Sequence, residues 1–331
     1  DVGLNNVDNT SKKDNGLIMI LGTTQSWIEN VLSRLPYECR IIIISNSPLE
    51  LKGNVSQVIF NREESMINVM KYVQMTERTS CAVFGFNPHS PSDVKRYSIF
   101  LNNCKRFGIS ACEKDLYLNN GSVEKCFREL LANLENYNFV ICANDPVAIY
   151  LLRNSVDCGY KIPDDFYVLG FGNSAISQVV NPSLSTILLD YHEIGRQAID
   201  AYIYLLKHPE ISSMNIFIPC KILPRRSTEY KEFSFANEAA YSPILSSHDL
   251  FFDDPDINEF FRLDNFIEQC DEIDFEIIKG LQEKVQYAAL AQKLHISEYT
   301  LKYRLKKIYA QTNTTDRSSF NKVMKNYRIK L

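Results

Sequence analysis

The chain has 331 residues, of which 45% are hydrophobic and 23% charged, with a net charge of −4. That length suits about two domains, and the composition is that of a globular protein, not of a disordered, collagenous or disulfide-built one. No run approaches the roughly 20 apolar residues of a membrane span, and the polar N-terminus lacks the apolar core of a secretory signal, so a cytoplasmic protein with no membrane partner is expected.

Nine cysteines, Cys39, Cys81, Cys104, Cys112, Cys126, Cys142, Cys158, Cys220 and Cys270, stand singly, with no Cys-x-x-Cys pair. An odd, scattered set with members inside apolar runs reads as reduced thiols packed as small hydrophobes. The five histidines are dispersed too. No metal site, disulfide framework or cofactor is therefore expected. Charge is unevenly placed: residues 271–331 hold 12 Lys and Arg against 7 Asp and Glu, while the rest holds 24 against 33. A basic tail on an acidic body suggests a polyanion partner at one end.

In chain order, residues 1–15 are polar and expected to be a disordered lead-in. From 16 to 230, strand-length apolar runs recur at Leu17–Gly22, Arg40–Ser45, Gln57–Phe60, Ala82–Phe86, Leu116–Leu118, Phe139–Ala143, Tyr167–Phe171 and Thr186–Leu189. Between them lie stretches with helical spacing: Ile67, Met70, Val73 and Met75; Ile99, Leu101, Cys104 and Phe107; Phe127, Leu130, Leu131 and Leu134; Ile149, Leu152 and Val156. Continuous apolar strands alternating with helices predict an α/β module with a parallel sheet covered on both faces. Residues 231–270 are acidic and aromatic and are expected to form a solvated linker with at most a short helix. Their Asp cluster lacks the Gly and bidentate Glu of a calcium loop.

Residues 271–331 contain no Pro and no Gly after Gly280, and the pattern is wholly helical. One helix is drawn over Ile273–Leu281 and a second over Tyr287–Leu294, where small Ala residues such as Ala288 permit close helix approach. After a turn at His295-Ile296, Ser297 is placed to cap a third helix, Glu298–Ala310. Its stripe Leu301, Leu305 and Ile308 is buried in this reading, and the other face shows Tyr299, Lys302, Tyr303, Arg304, Lys306 and Lys307. Such a helix fits the major groove of double-stranded DNA, with lysines attracted to phosphates and Tyr299, Thr300 and Tyr303 near base edges. The plainer alternative is a helical bundle with a solvated basic face.

Residues 276–320 resemble the LuxR-type helix-turn-helix. The run Val285 to Leu294 matches that family's scaffold helix and continues without a gap into Ile296-Ser297-Glu298-Tyr299-Thr300-Leu301-Lys302-Tyr303-Arg304, against the family's Ile-Ser-x-x-Thr-Val-Lys-x-His. Asp316-Arg317 matches the opening of its fourth helix, which in the family supports dimerisation; here Phe320, Val323, Met324 and Tyr327 supply the apolar stripe. Lys284 stands near the family's usual Gly, Arg304 for its His and Asn313 for a second Gly, where Asn tolerates the left-handed conformation. The resemblance implies DNA contacts from Tyr299, Thr300, Lys302, Tyr303, Lys306, Lys307 and Lys293, and a homodimer.

Residues 139–228 resemble the periplasmic-binding-protein-fold core of LacI/GalR repressors. The resemblance is carried by Ala143-Asn144-Asp145, Gly159-Tyr160-Lys161-Ile162-Pro163, Val168-Leu169-Gly170-Phe171, Pro182-Ser183-Leu184-Ser185-Thr186-Ile187 and Arg225-Arg226-Ser227-Thr228. It implies a small-molecule effector, a sugar among the candidates, with Glu64, Arg96, Asn144 and Asp190 as contacts. Asn144 or Asp145 at a strand's C-terminal end sits where open α/β sheets bind ligands; either residue equally suits a helix N-cap, and Arg96 equally suits a helix surface. Gly172 stands where sugar-responsive members carry an acidic residue. The family's opening strands and N-terminal DNA-binding domain have no counterpart, which leaves two readings: an N-terminally incomplete chain or a reduced module. A second functional reading is thus a ligand-free dimerisation or partner-binding scaffold. No nucleophile–base set, Gly-x-Ser-x-Gly, phosphate-binding Gly loop or metal-ligand spacing occurs, so an enzyme is not expected.

Overall fold

The structure is a computed structural model that describes residues 17–22, 25–35, 39–45, 55–228, 254–329 and 331. The expected lead-in 1–15, Gly16 and residues 231–253 of the expected linker lie outside the described residues. The chain opens with β1 (Leu17–Leu21), α1 (Gln25–Leu32), β2 (Arg40–Ser45) and β3 (Val55–Phe60). It continues through α2 (Arg62–Met75), β4 (Cys81–Phe86), α3 (Pro91–Asn103), β5 (Leu116–Leu118), α4 (Val123–Leu131), β6 (Phe139–Cys142) and α5 (Asp145–Asp157). Then come β7 (Tyr167–Leu169), α6 (Ala175–Val179), β8 (Thr186–Leu188), α7 (Tyr191–Lys207), β9 (Asn215–Ile218) and β10 (Lys221–Leu223). Five helices follow: α8 (Pro255–Glu268), α9 (Glu272–Gln282), α10 (Tyr287–Lys293), α11 (Glu298–Gln311) and α12 (Arg317–Asn326).

Two compact units result. The first takes residues 1–62 and 190–220, the second residues 63–189 and 221–331. In the first, β1-β2-β3-β9 form a parallel sheet. The four consecutive isoleucines of β2 fit a strand buried on both faces. Ile41 and Ile43 pack with Ile20 under Ile28 and Val31 of α1, while α7 covers β2, β3 and β9. Arg40 clamps the end of α7 by donating to the Leu205 and Pro209 carbonyls at 2.5 and 2.6 Å. The edge strand β9 was not among the expected strands. It is short and half-exposed, so it lacks the long apolar run of a buried strand.

In the second unit β5-β4-β6-β7 form a parallel sheet, and β8 pairs antiparallel with β10. The expected parallel-sheet α/β fold is therefore present, with strand ends shifted by one or two residues. Two helix faces differ from those read in the sequence. In α2 the buried positions are Met66, Val69, Met70 and Val73, whereas Met75 is exposed. In the stretch beginning with α3 they are Arg96, Phe100, Cys104 and Phe107 rather than Ile99 and Leu101. Neither stretch has a polar face sharp enough to fix the rotation of the helix by composition alone.

The expected acidic linker is corrected by α8. Asp254 caps it, accepting from the Asp256 N–H at 3.0 Å, and Pro255 opens the first turn. Ile257, Phe260, Phe261, Leu263, Phe266 and Ile267 are all buried in one core with α4, α5, α9, α11 and α12. Acidic residues disguised this helix because two of them work inside the fold. Asp254 also accepts from the Val123 N–H at the start of α4, and Asp264 from the Ile176 N–H at the start of α6.

The apolar stripe of α12 is also spent within the chain, which corrects the expectation of an open dimer face there. Phe320 and Met324 are fully buried, Phe320 packs edge-on against Phe266, and the Tyr327 hydroxyl donates to Glu259 at 2.9 Å. Beyond α12, Val180 and Ile329 form an antiparallel bridge, and Asn181 and Arg328 exchange two hydrogen bonds of 3.0 Å. Arg153 of α5 pairs with Asp256 at 3.2 Å and lies over the Tyr327 ring. The C-terminal helices are thus fastened to the second α/β unit.

Asp264 makes this fastening pH-dependent. Burial pushes its carboxyl up to about 7, Asp145 and Glu268 add repulsion, and the N–H groups of Ile176 and Ala175 oppose the rise. A carboxyl whose folded value lies above its unfolded value stabilises the fold most when protonated, and that stability is lost as pH rises from about 4 through about 7. Between pH 5 and pH 8, wild-type stability in urea should fall by about 2–4 kcal/mol from this group. Asp264→Asn should lack that part of the slope; equal slopes for the two proteins would show that Asp264 does not titrate in the fold.

Candidate functional site

Residues 271–331 contain four helices, each closed at its C-terminal end by a left-handed residue. Asp271 and Asp274 form a capping box at the start of α9. At its end the Val285 N–H reaches back to the Gly280 carbonyl across Lys284, which has φ 59°. The same closure ends α10 at His295 (φ 53°), α11 at Asn313 (φ 51°) and α12 at Arg328 (φ 54°). The left-handed positions at Lys284 and Asn313 are those where the resemblance expected glycine. Close approach of α9 and α10 depends on Gly280, where an added Cβ would stand 2.6 Å from Leu290. Of the alanines expected to serve that purpose, Ala291 is buried and Ala288 is exposed.

Between α10 and α11 the chain turns through Leu294, His295 and Ile296. The Ser297 hydroxyl then accepts from the Thr300 N–H at 3.0 Å. Leu301, Leu305 and Ile308 are buried as expected. On the opposite side Tyr299 is 81% and Tyr303 66% exposed, and Lys302, Lys306 and Lys307 are exposed with them. Among the described residues none of these three lysines has an ion pair. Thr300 is half-buried, its hydroxyl 2.8 Å from that of Ser297. Lys293, exposed on α10, reaches Glu276 at 3.4 Å.

Arg304 leaves that face. Its guanidinium binds Asp271 at 2.8 Å and Asp274 at 2.7 Å, tying α11 to the start of α9. Placing it with the solvent-facing lysines is therefore corrected, because a paired aspartate cap offered a partner about 30 residues away. The Asp271 carboxyl is held below its usual range by the Asp274 N–H and then by Arg304.

In the α/β part, the four expected effector contacts occupy different settings. Asn144 caps α5, its side chain accepting from the Val147 N–H at 3.1 Å. Asp190 caps α7 in the same way, accepting from Glu193 at 2.9 Å. Glu64 is exposed in the first turn of α2. Arg96 is only 3% exposed: it donates to Asp93 at 2.5 Å and to the Ala143 carbonyl at 3.1 Å, and its guanidinium lies 4.6 Å from both the Phe86 and Phe171 rings. It stands at the C-terminal ends of β4, β6 and β7, as the topology of an open parallel sheet predicts for a ligand-facing group. Asn144, Arg96 and Glu64 belong to the second unit and Asp190 to the first.

The sequence did not single out Asp145 as a structural hub. It is 1% exposed and accepts from the Ser174 N–H at 2.7 Å and the Thr186 hydroxyl at 2.5 Å, with burial raising its carboxyl and these bonds opposing the rise. Gly170 makes room for it: a Cβ there would lie 2.3 Å from an Asp145 oxygen. Arg225 closes the same region on Asn173, Ser177 and the Leu184 carbonyl. The sequential partners lie 29 and 41 residues from Asp145, so spacing gives no hint of them. Asp145→Ala should cost about 2–5 kcal/mol in urea unfolding, since two buried donors lose their acceptor. A cost below about 1 kcal/mol would remove Asp145 from this role.

Comparison with known proteins matches the α/β part. Residues 78–228 fit the model of the periplasmic binding protein-like domain. Catabolite control protein A of Staphylococcus epidermidis is 30% identical over 105 residues, 32% of this chain and 31% of that protein. The NTD biosynthesis operon regulator NtdR of Bacillus subtilis is 26% identical over 216 residues, 63% of this chain and 64% of that protein. The chain thus matches about a third of the first relative's length and just under two thirds of the second's. Among solved structures, the Escherichia coli transcriptional repressor AscG aligns with a TM-score of 0.52 at 19% identity, over 64% of this chain and 77% of that one. The transcriptional regulator CelR in complex with cellobiose aligns at 0.53 and 16%, over 63% and 64%. These names denote a control protein, a repressor and regulators. No helix among the described residues is long and apolar enough to cross a membrane. Residues 78–228 of this chain are accordingly similar to a periplasmic binding protein-like domain, and the α/β fold resembles that of the solved regulators.

Proposed function

We propose that the protein is a DNA-binding transcription regulator of the cytoplasm, in which residues 271–331 are a LuxR-type helix-turn-helix and the α/β module of residues 16–230 binds a small effector such as a sugar. The observation that carries this reading is the exposed face of α11. Tyr299, Lys302, Tyr303, Lys306 and Lys307 share it, with Thr300 at its start and Lys293 on the preceding helix. A recognition helix needs this combination: cations for phosphates and flat polar side chains near its N-terminus for base edges. The cellobiose named with CelR supports the sugar class of effector. Acting as a homodimer, the protein would read two half-sites, and an effector that binds one conformation better would change their spacing.

The test is selection of genomic fragments by the full chain, followed by footprinting of the enriched duplex with and without a panel of sugars and sugar phosphates. Enrichment of one operator whose affinity changes with a panel member supports both halves. Uniform recovery of all fragments would defeat the regulator reading.

A second reading is favoured by the state of Arg96 and Asn144. Both already make bonds inside the fold, Arg96 to Asp93 and the Ala143 carbonyl and Asn144 to the Val147 N–H, and Gly172 offers no carboxylate. In that reading the α/β module is a ligand-free dimerisation or protein-partner scaffold for the same DNA-binding domain. Operator binding that no small molecule alters, together with a concentration-dependent dimer, is its signature.

A further inference from the structure

A cavity of about 680 Å³ opens between the α/β part of the second unit and the helix-turn-helix, with Asp157 and Asn181 on one wall and α9 and α12 on the other. That volume is in the range of small-molecule sites, which run from roughly 300 to 1,000 Å³. No residue of α11 lines it, and neither does Glu64, Arg96, Asn144 or Asp190.

Its charge is lopsided. Lys279, Lys284, Lys325 and Arg328 line it, against Asp157 and Glu283. Among the described residues none of the three lysines has an ion pair, and Arg328 spends its Nε on the Asn181 carbonyl, not on a carboxylate. Lys284 and Arg328 are held in place by the left-handed closures that end α9 and α12. Both flank the same cavity.

We propose that this cavity is a ligand site for a small anionic metabolite, a phosphate ester or carboxylate. The anion is held by Lys279, Lys284 and Lys325. The site is separate from the effector position of the α/β module and from the DNA face. Bound there, a ligand would touch both Asn181 and α12, the two sides of the fastening between the domain and its carrier.

The experiment is calorimetric titration of the full chain with inorganic pyrophosphate in about 150 mM salt, where weak surface attraction is screened. Saturable binding is expected in the wild type. The double variant Lys279→Gln, Lys325→Gln should bind about tenfold or more weakly with an unchanged melting temperature, since two charged hydrogen bonds are removed from a mostly exposed wall. Lys302→Ala, Lys306→Ala should bind pyrophosphate as the wild type does. The proposal is overturned by absence of saturable binding, by equal binding in the Gln variant, or by loss of binding in the α11 variant. It is equally overturned if the Gln substitutions weaken only DNA binding, which would make these lysines phosphate contacts of the DNA domain. No DNA enters the titration, so failure of the regulator reading and failure of this site are read separately.

Discussion

Replacing Lys302 and Lys306 by alanine is expected to weaken DNA binding by about tenfold or more at physiological salt and to flatten its salt dependence. Both side chains are exposed on α11, opposite the buried Leu301, Leu305 and Ile308, so their removal leaves the packing of the helix intact. Each lysine that neutralises a phosphate releases condensed counterion, and the slope of log affinity against log salt carries about −0.9 per contact in duplex DNA. Two lost contacts should therefore shallow the slope by about 2. Fluorescence anisotropy with a labelled duplex at several salt concentrations gives both quantities, and a duplex of arbitrary sequence suffices because the phosphate contribution does not depend on the bases. An unchanged slope in the double variant would mean that α11 does not face the phosphates. Arg304 serves as the contrast. Its ties to Asp271 and Asp274 hold α11 against α9, so Arg304→Ala should lower stability more than it changes the slope.

The largest expected loss of stability comes from Phe260→Ala. Phe260 is buried in α8, in the core that joins α4 and α5 to α9, α11 and α12. Truncating a buried Phe removes its transfer free energy and leaves a cavity, together about 3–5 kcal/mol. A solvated linker would lose almost nothing from the same change. Urea unfolding followed by far-ultraviolet circular dichroism reads the effect; a midpoint shift worth less than about 1 kcal/mol would return α8 to the status of a linker.

These two substitutions mark where the sequence is readable and where it is not. The lysine face of α11 and its stripe could be read directly, because an exposed helix with one buried edge has a period of 3.6 and Ser297 announces its start. The four isoleucines of β2 are equally plain. What stayed hidden depends on partners remote in sequence. In α8 the run of carboxylates suggested solvent, yet Asp254 and Asp264 cap α4 and α6 across distances of 131 and 88 residues. Asp145 looked like a ligand contact or a helix cap and proves to be a buried acceptor for Ser174 and Thr186. Arg96 illustrates the same limit: composition places a cation on a helix, but only the fold places that cation between Phe86 and Phe171. Of the four proposed effector contacts, two cap helices, a role that local sequence did offer as an alternative for Asn144.

The bridge between Val180 and Ile329 and the exchange between Asn181 and Arg328 set the terms for dissecting the molecule. A C-terminal fragment cut at residue 271 would uncover Phe320 and Tyr327 to water, and one begun at Asp254 would still expose the side of α8 that packs on α4 and α5. Excision of this domain by cloning should yield an aggregating peptide, not an autonomous binder. Grafting it onto another carrier would succeed only if the recipient reproduced the surface around α5 and Val180, so the transferable module is the whole second unit rather than its last sixty residues.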